Sequence, residues 1–116
     1  MMDANTLTWI AIGIFAAFFI YSRFAGKVSP ARARELVSAG ARLVDVRSTG
    51  EFASGHIDGA LNIPVDQLAA RIGEIGPKDK PVVVYCASGM RSARAAGLLK
   101  SVGFATVEDL GPMSRW

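Results

Sequence analysis

One cysteine and one histidine stand in the 116 residues, and the cysteine has the better surroundings for chemistry. Cys86 opens the run Cys86-Ala87-Ser88-Gly89-Met90-Arg91, directly after four large residues, Val82 to Tyr85, with no polar alternation. An uninterrupted run of this kind reads as a strand covered on both faces, and the residues from Ser92 onward read as the helix that follows it. A thiol at such a strand-loop-helix junction meets converging backbone N–H groups and the partial positive charge of a helix N-terminus, and Arg91 adds a permanent cation. All three favour thiolate over thiol, which makes Cys86 a candidate nucleophile; the alternative is an inert buried cysteine. A lone cysteine forms no intrachain disulfide, and with a single histidine it cannot supply the usual four zinc ligands, so a metal is not expected.

Holding that loop in place requires a sheet, and the chain from Val28 to Trp116 is punctuated for one. Ser29 then Pro30 reads as an N-cap and first helical position, with a helix running to about Ala39 and Gly40 as its left-handed stop. Arg42 to Val46 follows as a strand. Ala60 to Ile63 reads as a short strand closed by Pro64, and Val65 to Ile75 as an apolar-periodic helix. A helix from about Ser92 to Val102, a stop at Gly103 and a strand from Phe104 to Leu110 complete the order. Strands alternating with helices at this spacing imply an α/β fold: an open, mostly parallel sheet of about five strands with helices on both faces. Sites in such sheets form where the strands' carboxyl ends meet the following helices, which is where Cys86 falls.

The first residues have a different character. No residue between Asp3 and Arg23 is charged, and at about 1.5 Å per residue the stretch 4–22 is roughly 28 Å long, close to the thickness of a bilayer's hydrocarbon core. Apolar residues occupy every side of this helix, with Trp9 and Tyr21 near its ends, where amphipathic rings favour the membrane interface. A positive leader and a small-x-small cleavage site are both missing, so residues 1–24 read as an uncleaved transmembrane anchor, 25–27 as a linker and 28–116 as the domain. Arg23, Lys27, Arg32 and Arg34 follow the span while no Lys or Arg precedes it, which places the domain in the cytoplasm, a reducing side that suits a free thiol. The net charge of +3, from 13 Lys+Arg against 10 Asp+Glu, is too small an excess to indicate nucleic acid.

Taken together, the motifs resemble the rhodanese-like (sulfurtransferase) family over about Val28 to Trp116. Asp45-Val46-Arg47, Glu51-Phe52 and Gly55-His56-Ile57-Asp58-Gly59-Ala60-Leu61-Asn62-Ile63-Pro64 are similar to that family's first signature. Tyr85 to Ser92 is similar to its active-site loop, and Leu110-Gly111-Pro112-Met113 with Trp116 to its ending. The resemblance implies a sulfurtransferase in which Cys86 carries a sulfane sulfur as a persulfide between a small-molecule or protein donor and an acceptor. It also implies that the loop N–H groups of Ala87, Ser88, Gly89, Met90 and Ser92 cradle the persulfide, with Arg91 stabilising donor charge. Related phosphatases and arsenate reductases carry one more residue between Cys and Arg than the four found here, which favours sulfur over a tetrahedral oxyanion. Many thiosulfate-using members have Arg or Lys directly after the cysteine, where this chain has Ala87.

Asp45, Arg47, Glu51 and His56 are read as supports. Ser48 to Glu51 forms a capping box for a short helix, Arg47 is expected to pair with Glu51, and Asp45 to orient neighbouring backbone. His56 is expected to be a hydrogen-bonded framework residue rather than a base. Against the enzyme stand two alternatives: a non-catalytic binding module of the same fold at the membrane, and a cysteine-dependent phosphatase or arsenate reductase.

Overall fold

The computed structural model describes residues 2–24 and 26–116, the side chains of residues 22–24 excepted. Ala25, the first residue of the expected linker, and the Arg23 side chain therefore lie outside the described residues. Helix α1 spans Ala4–Phe24, α2 Pro30–Ser38, α3 Thr49–Ala53 and α4 Met90–Ser101; strand β1 spans Arg42–Asp45, β2 Leu61–Asn62, β3 Val82–Cys86 and β4 Val107–Pro112. The strands form a sheet in the order β2-β1-β3-β4 with every neighbouring pair parallel. The chain leaves β1 toward β2 and then crosses back to place β3 on β1's other side. The direction of winding reverses between β1 and β3, and in open parallel sheets such a reversal opens a crevice at the strands' carboxyl ends.

Four strands are present among the described residues rather than about five. Beyond β4 the edge carries one isolated parallel bridge, Lys27 beside Asp109, supported by Val28 N–H donating to the Asp109 carbonyl at 2.8 Å. β4 begins at Val107 and not at Phe104, because Phe104 N–H turns back to the Leu99 carbonyl and Ala105 N–H bonds Lys78 before the chain reaches the ladder. The segment expected as one helix over Val65 to Ile75 is instead two 3₁₀ stretches, Val65–Gln67 and Ala69–Glu74, the second broken at Arg71 (φ −120°, ψ 21°). Its apolar side chains recur at three-residue steps, Val65 to Leu68 and Ile72 to Ile75, and that spacing suits the tighter turn as well as an α-helix.

All five residues of β3 are buried, as a strand covered on both faces must be. Val82, Val84 and Cys86 pack on one side with Ala95, Ala96 and Leu99 of α4 and with Leu68 and Ile75. Val83 and Tyr85 point to the other side, against Ala33 and Leu36 of α2. At 25 cal/mol per Å², each fully buried large aliphatic contributes about 1.5–3 kcal/mol, so β3 is the most firmly held strand in the fold. α2 starts as its sequence dictates, with Ser29 Oγ accepting from Arg32 N–H at 3.1 Å and Pro30 in the first turn. Helix α1 stands apart from this core: it is long and apolar enough to cross a membrane, and none of Ala4–Tyr21 is buried.

Candidate functional site

Cys86 ends β3 and is fully buried. Three residues on, Gly89 takes φ +100°, a left-handed conformation that side chains rarely adopt, and becomes the N-cap of α4. That turn aims the Gly89 N–H at the thiol, and it donates to Cys86 Sγ at 2.9 Å. Behind it the first-turn N–H groups of α4, on Met90, Arg91 and Ser92, have no partner within the helix and face the loop side with the helix's positive end. The Gly89 carbonyl is pinned in turn by Ser92 Oγ at 3.2 Å and Ala93 N–H at 3.2 Å. Ala87, Ser88 and Met90 are exposed around the buried sulfur, so the loop has a solvent side from which a reactant can approach.

Arg91 does not stand free in this loop. Its guanidinium grips Glu51 of α3 in a two-pronged pair, Nη1 to Oε1 at 2.7 Å and Nη2 to Oε2 at 3.0 Å. Glu51 also closes the expected capping box, accepting from Ser48 N–H at 3.2 Å while Ser48 Oγ accepts from Glu51 N–H at 3.2 Å. The Arg91 guanidinium, and after it the Ser48 backbone and hydroxyl, hold the Glu51 carboxyl down at about 2. The expected Arg47–Glu51 pair is therefore corrected: Glu51 belongs to Arg91. Arg47 instead turns to Asp45, with Nε at 3.1 Å from both carboxylate oxygens and Nη2 at 2.7 Å from Oδ2, and also donates to the Gly55 carbonyl at 2.7 Å.

Asp45 reaches backbone as well as the Arg47 guanidinium. Its Oδ1 accepts from Arg47 N–H at 2.9 Å, which turns the chain as it leaves β1. A similar contact occurs within β4, at the register shift facing Val84 and Tyr85, where Asp109 Oδ1 accepts from Gly111 N–H at 2.8 Å and Oδ2 binds Lys27 Nζ at 2.5 Å. The strand carrying Cys86 thus has a buried Asp–cation pair on the neighbour to each side. From sequence Lys27 reads only as a juxtamembrane charge and Asp109 carries no mark; the recurring Asp-x-Arg at β1 and Asp-x-Gly in β4 is the signal that could have found Asp109. Asn62 was quoted only as part of a signature, and its amide braces the same region by donating to the Asp45 and Arg47 carbonyls at 3.0 Å each. Tyr85 is another unassigned support: its hydroxyl accepts from Ile57 N–H at 3.1 Å, and burial pushes it up to about 12.

His56 is exposed, stacks on Phe52 with ring centroids 3.6 Å apart, and places Nδ1 2.9 Å from the Phe52 carbonyl. These contacts tie the ring to α3. The residues brought around the sulfur are the loop itself, Arg91 with Glu51, and Lys27, whose Nζ lies 3.1 Å from the Gly89 carbonyl. Among the described residues no group of three or more His, Cys, Asp or Glu is arranged to hold a metal ion.

Known proteins are similar to this chain in sequence and fold. The rhodanese-like domain profile matches residues 29–113. The uncharacterized protein YqhL of Bacillus subtilis is 41% identical over 115 residues, spanning 92% of this chain and 90% of its own length. Thiosulfate sulfurtransferase GlpE of Shewanella oneidensis is 42% identical over 76 residues, 65% of this chain and 74% of that protein. Among solved structures, the human single-domain sulfurtransferase TSTD1 superposes with a TM-score of 0.68 at 34% identity, over 79% of this chain and 95% of that one. The profile covers most of the chain, the cysteine loop included, and the chain belongs to the rhodanese-like domain family.

Proposed function

We propose that this chain is a membrane-anchored sulfurtransferase in which Cys86 carries the transferred sulfur. The observation that carries the reading is the Gly89 N–H directed at Cys86 Sγ at 2.9 Å from the N-terminus of α4, since a donor so placed stabilises negative charge on that sulfur. The Cys86 thiolate attacks the outer sulfur of a sulfane donor, the donor's S–S bond breaks, and the donor leaves with that bond's electron pair, as sulfite if the donor is thiosulfate. The new Cys86 persulfide is anionic, and the loop N–H groups of Ala87 to Ser92 receive its terminal sulfur. A nucleophilic acceptor then attacks that sulfur, the S–S bond breaks toward Cys86, and the thiolate returns. Each half-reaction balances without an external oxidant, and no metal or cofactor takes part.

In this reading Arg91 shapes the loop through Glu51 and offers its remaining N–H groups to donor charge, while Asp45, Arg47, Glu51 and His56 hold the frame. Family relatives named thiosulfate sulfurtransferases support thiosulfate as a donor, and Ala87 in place of a cation after the cysteine supports a persulfide donor as well. Helix α1 anchors the domain, and the basic residues after it turn the domain toward the cytoplasm. The test is intact mass after incubation with thiosulfate or with a low-molecular-weight persulfide. The expected result is a gain of one sulfur, about 32 Da, that Cys86→Ser abolishes and cyanide removes as thiocyanate. No adduct from either donor on the folded protein overturns the enzyme and leaves a binding module. Turnover of phosphate esters or arsenate in its place supports the oxyanion alternative.

A further inference from the structure

We propose that Lys27, the third residue beyond helix α1, is a positioning residue for the cysteine loop; the role as stated rests on Cys86 being the reactive group. Its side chain is 8% exposed, although the residue begins the domain at the sheet edge. The ammonium donates to the Gly89 carbonyl at 3.1 Å and to Asp109 Oδ2 at 2.5 Å. Its alkyl stem lies in a cradle made by two glycines of positive φ. A Cβ at Gly111 would meet Lys27 Cδ at 3.2 Å, and one at Gly89 would meet Cε at 3.6 Å.

These contacts fix Gly89 from both sides. Its N–H is committed to Cys86 Sγ while its carbonyl accepts from Lys27 as well as from Ser92 and Ala93, so the ammonium helps to set the rotation of the very residue whose N–H faces the thiol. The other two partners of that carbonyl, Ser92 Oγ and Ala93 N–H, both belong to α4, so Lys27 ties Gly89 to the β4 edge of the sheet. Because Asp109 neutralises the ammonium at close range, Lys27 adds little field at the sulfur, and what it contributes is geometry. The charged side chains near the loop include Lys27 and Asp109 from the β4 side, Arg91 on α4, Glu51 on α3 and Asp45 at the end of β1, of which only Lys27 bonds the Gly89 carbonyl among the contacts described.

The test uses the full chain in detergent and reads Cys86 directly. Lys27→Met keeps the stem and removes the ammonium; the double variant Lys27→Met/Asp109→Asn also removes the carboxylate that the first leaves buried and unpaired, and serves if the single variant does not fold. The readout is the rate of Cys86 alkylation by iodoacetamide across pH, with the sulfur-adduct assay beside it. Loss of one charge-assisted contact predicts alkylation at neutral pH about tenfold slower in the folded variant, with its midpoint moved to higher pH, and adduct formation slowed in parallel. A folded variant whose alkylation profile matches the unsubstituted chain overturns the proposal. Alkylation requires no turnover, so a chain that never accepts sulfur would sink the sulfurtransferase reading while still deciding whether Lys27 positions the loop.

Discussion

The Glu51–Arg91 pair decides how the site responds to acid. Glu51 has a folded value near 2 against an ordinary 4.5, so its ion pair and capping box stabilise the fold at pH above that ordinary value, and the stabilisation is lost as pH falls through the interval toward 2. Both side chains are about one-third exposed, 35% for Arg91 and 37% for Glu51, so water screens the pair and the effect is modest. Glu51→Gln should melt below the unsubstituted chain at neutral pH, and the gap should close by about pH 2, measured as melting temperature against pH. A gap that persists unchanged at low pH would show that the charge on Glu51 contributes nothing. The place of Cys86 at a strand-loop-helix junction and the capping box are legible in the sequence because each is local. The partner of Glu51 is not. Arg47 lies four residues away and Arg91 forty, and only the packing of α3 beside the start of α4 makes the distant one the neighbour. Lys27 was read as a juxtamembrane charge for the same reason, since its partner Asp109 is 82 positions on.

At the scale of elements, α4 joins two tasks that can be separated. Its N-terminus builds the loop, while Ala95, Ala96 and Leu99 bury its inner face on β3. Gly97 lies on the outer face, exposed, with ordinary helical φ and open space where a Cβ would go. Gly97→Ala should therefore stabilise the domain by about 0.5–1 kcal/mol, through a smaller loss of backbone freedom on folding, and leave adduct formation unchanged. Chemical denaturation and the mass assay check the two halves independently, and a stabilised variant with a slowed reaction would mean that α4 must flex in turnover. Helices α2 and α4 and strand β3 were readable from caps, glycine stops and an unbroken apolar run, signals that survive tertiary context. The Val65 to Ile75 segment was not, because three-residue apolar steps fit both helix types and only docking on the core selects the 3₁₀ form.

For the whole molecule, the short connection between α1 and the domain matters more than either part alone. Only residues 25 and 26 separate Phe24, the last residue of α1, from Lys27, whose ammonium reaches Gly89. A chain extends at most about 3.6 Å per residue, so the three steps from Phe24 to Lys27 span no more than roughly 11 Å, and the cysteine loop cannot move far from the end of the helix. Anchored in a bilayer, the loop would stay close to the membrane surface, where confinement raises the effective concentration of a membrane-bound donor or acceptor. Two truncations follow. Removing residues 1–24 should release the protein from the membrane fraction while adduct formation in solution stays near that of the full chain. Removing residues 1–27 should release it equally but slow the reaction by about the tenfold assigned to the Lys27 contact. Fractionation and intact mass on both forms measure this. Equal rates in the two would free the loop from the juxtamembrane segment, whereas loss of adduct already on removing 1–24 would make α1 part of the catalytic unit.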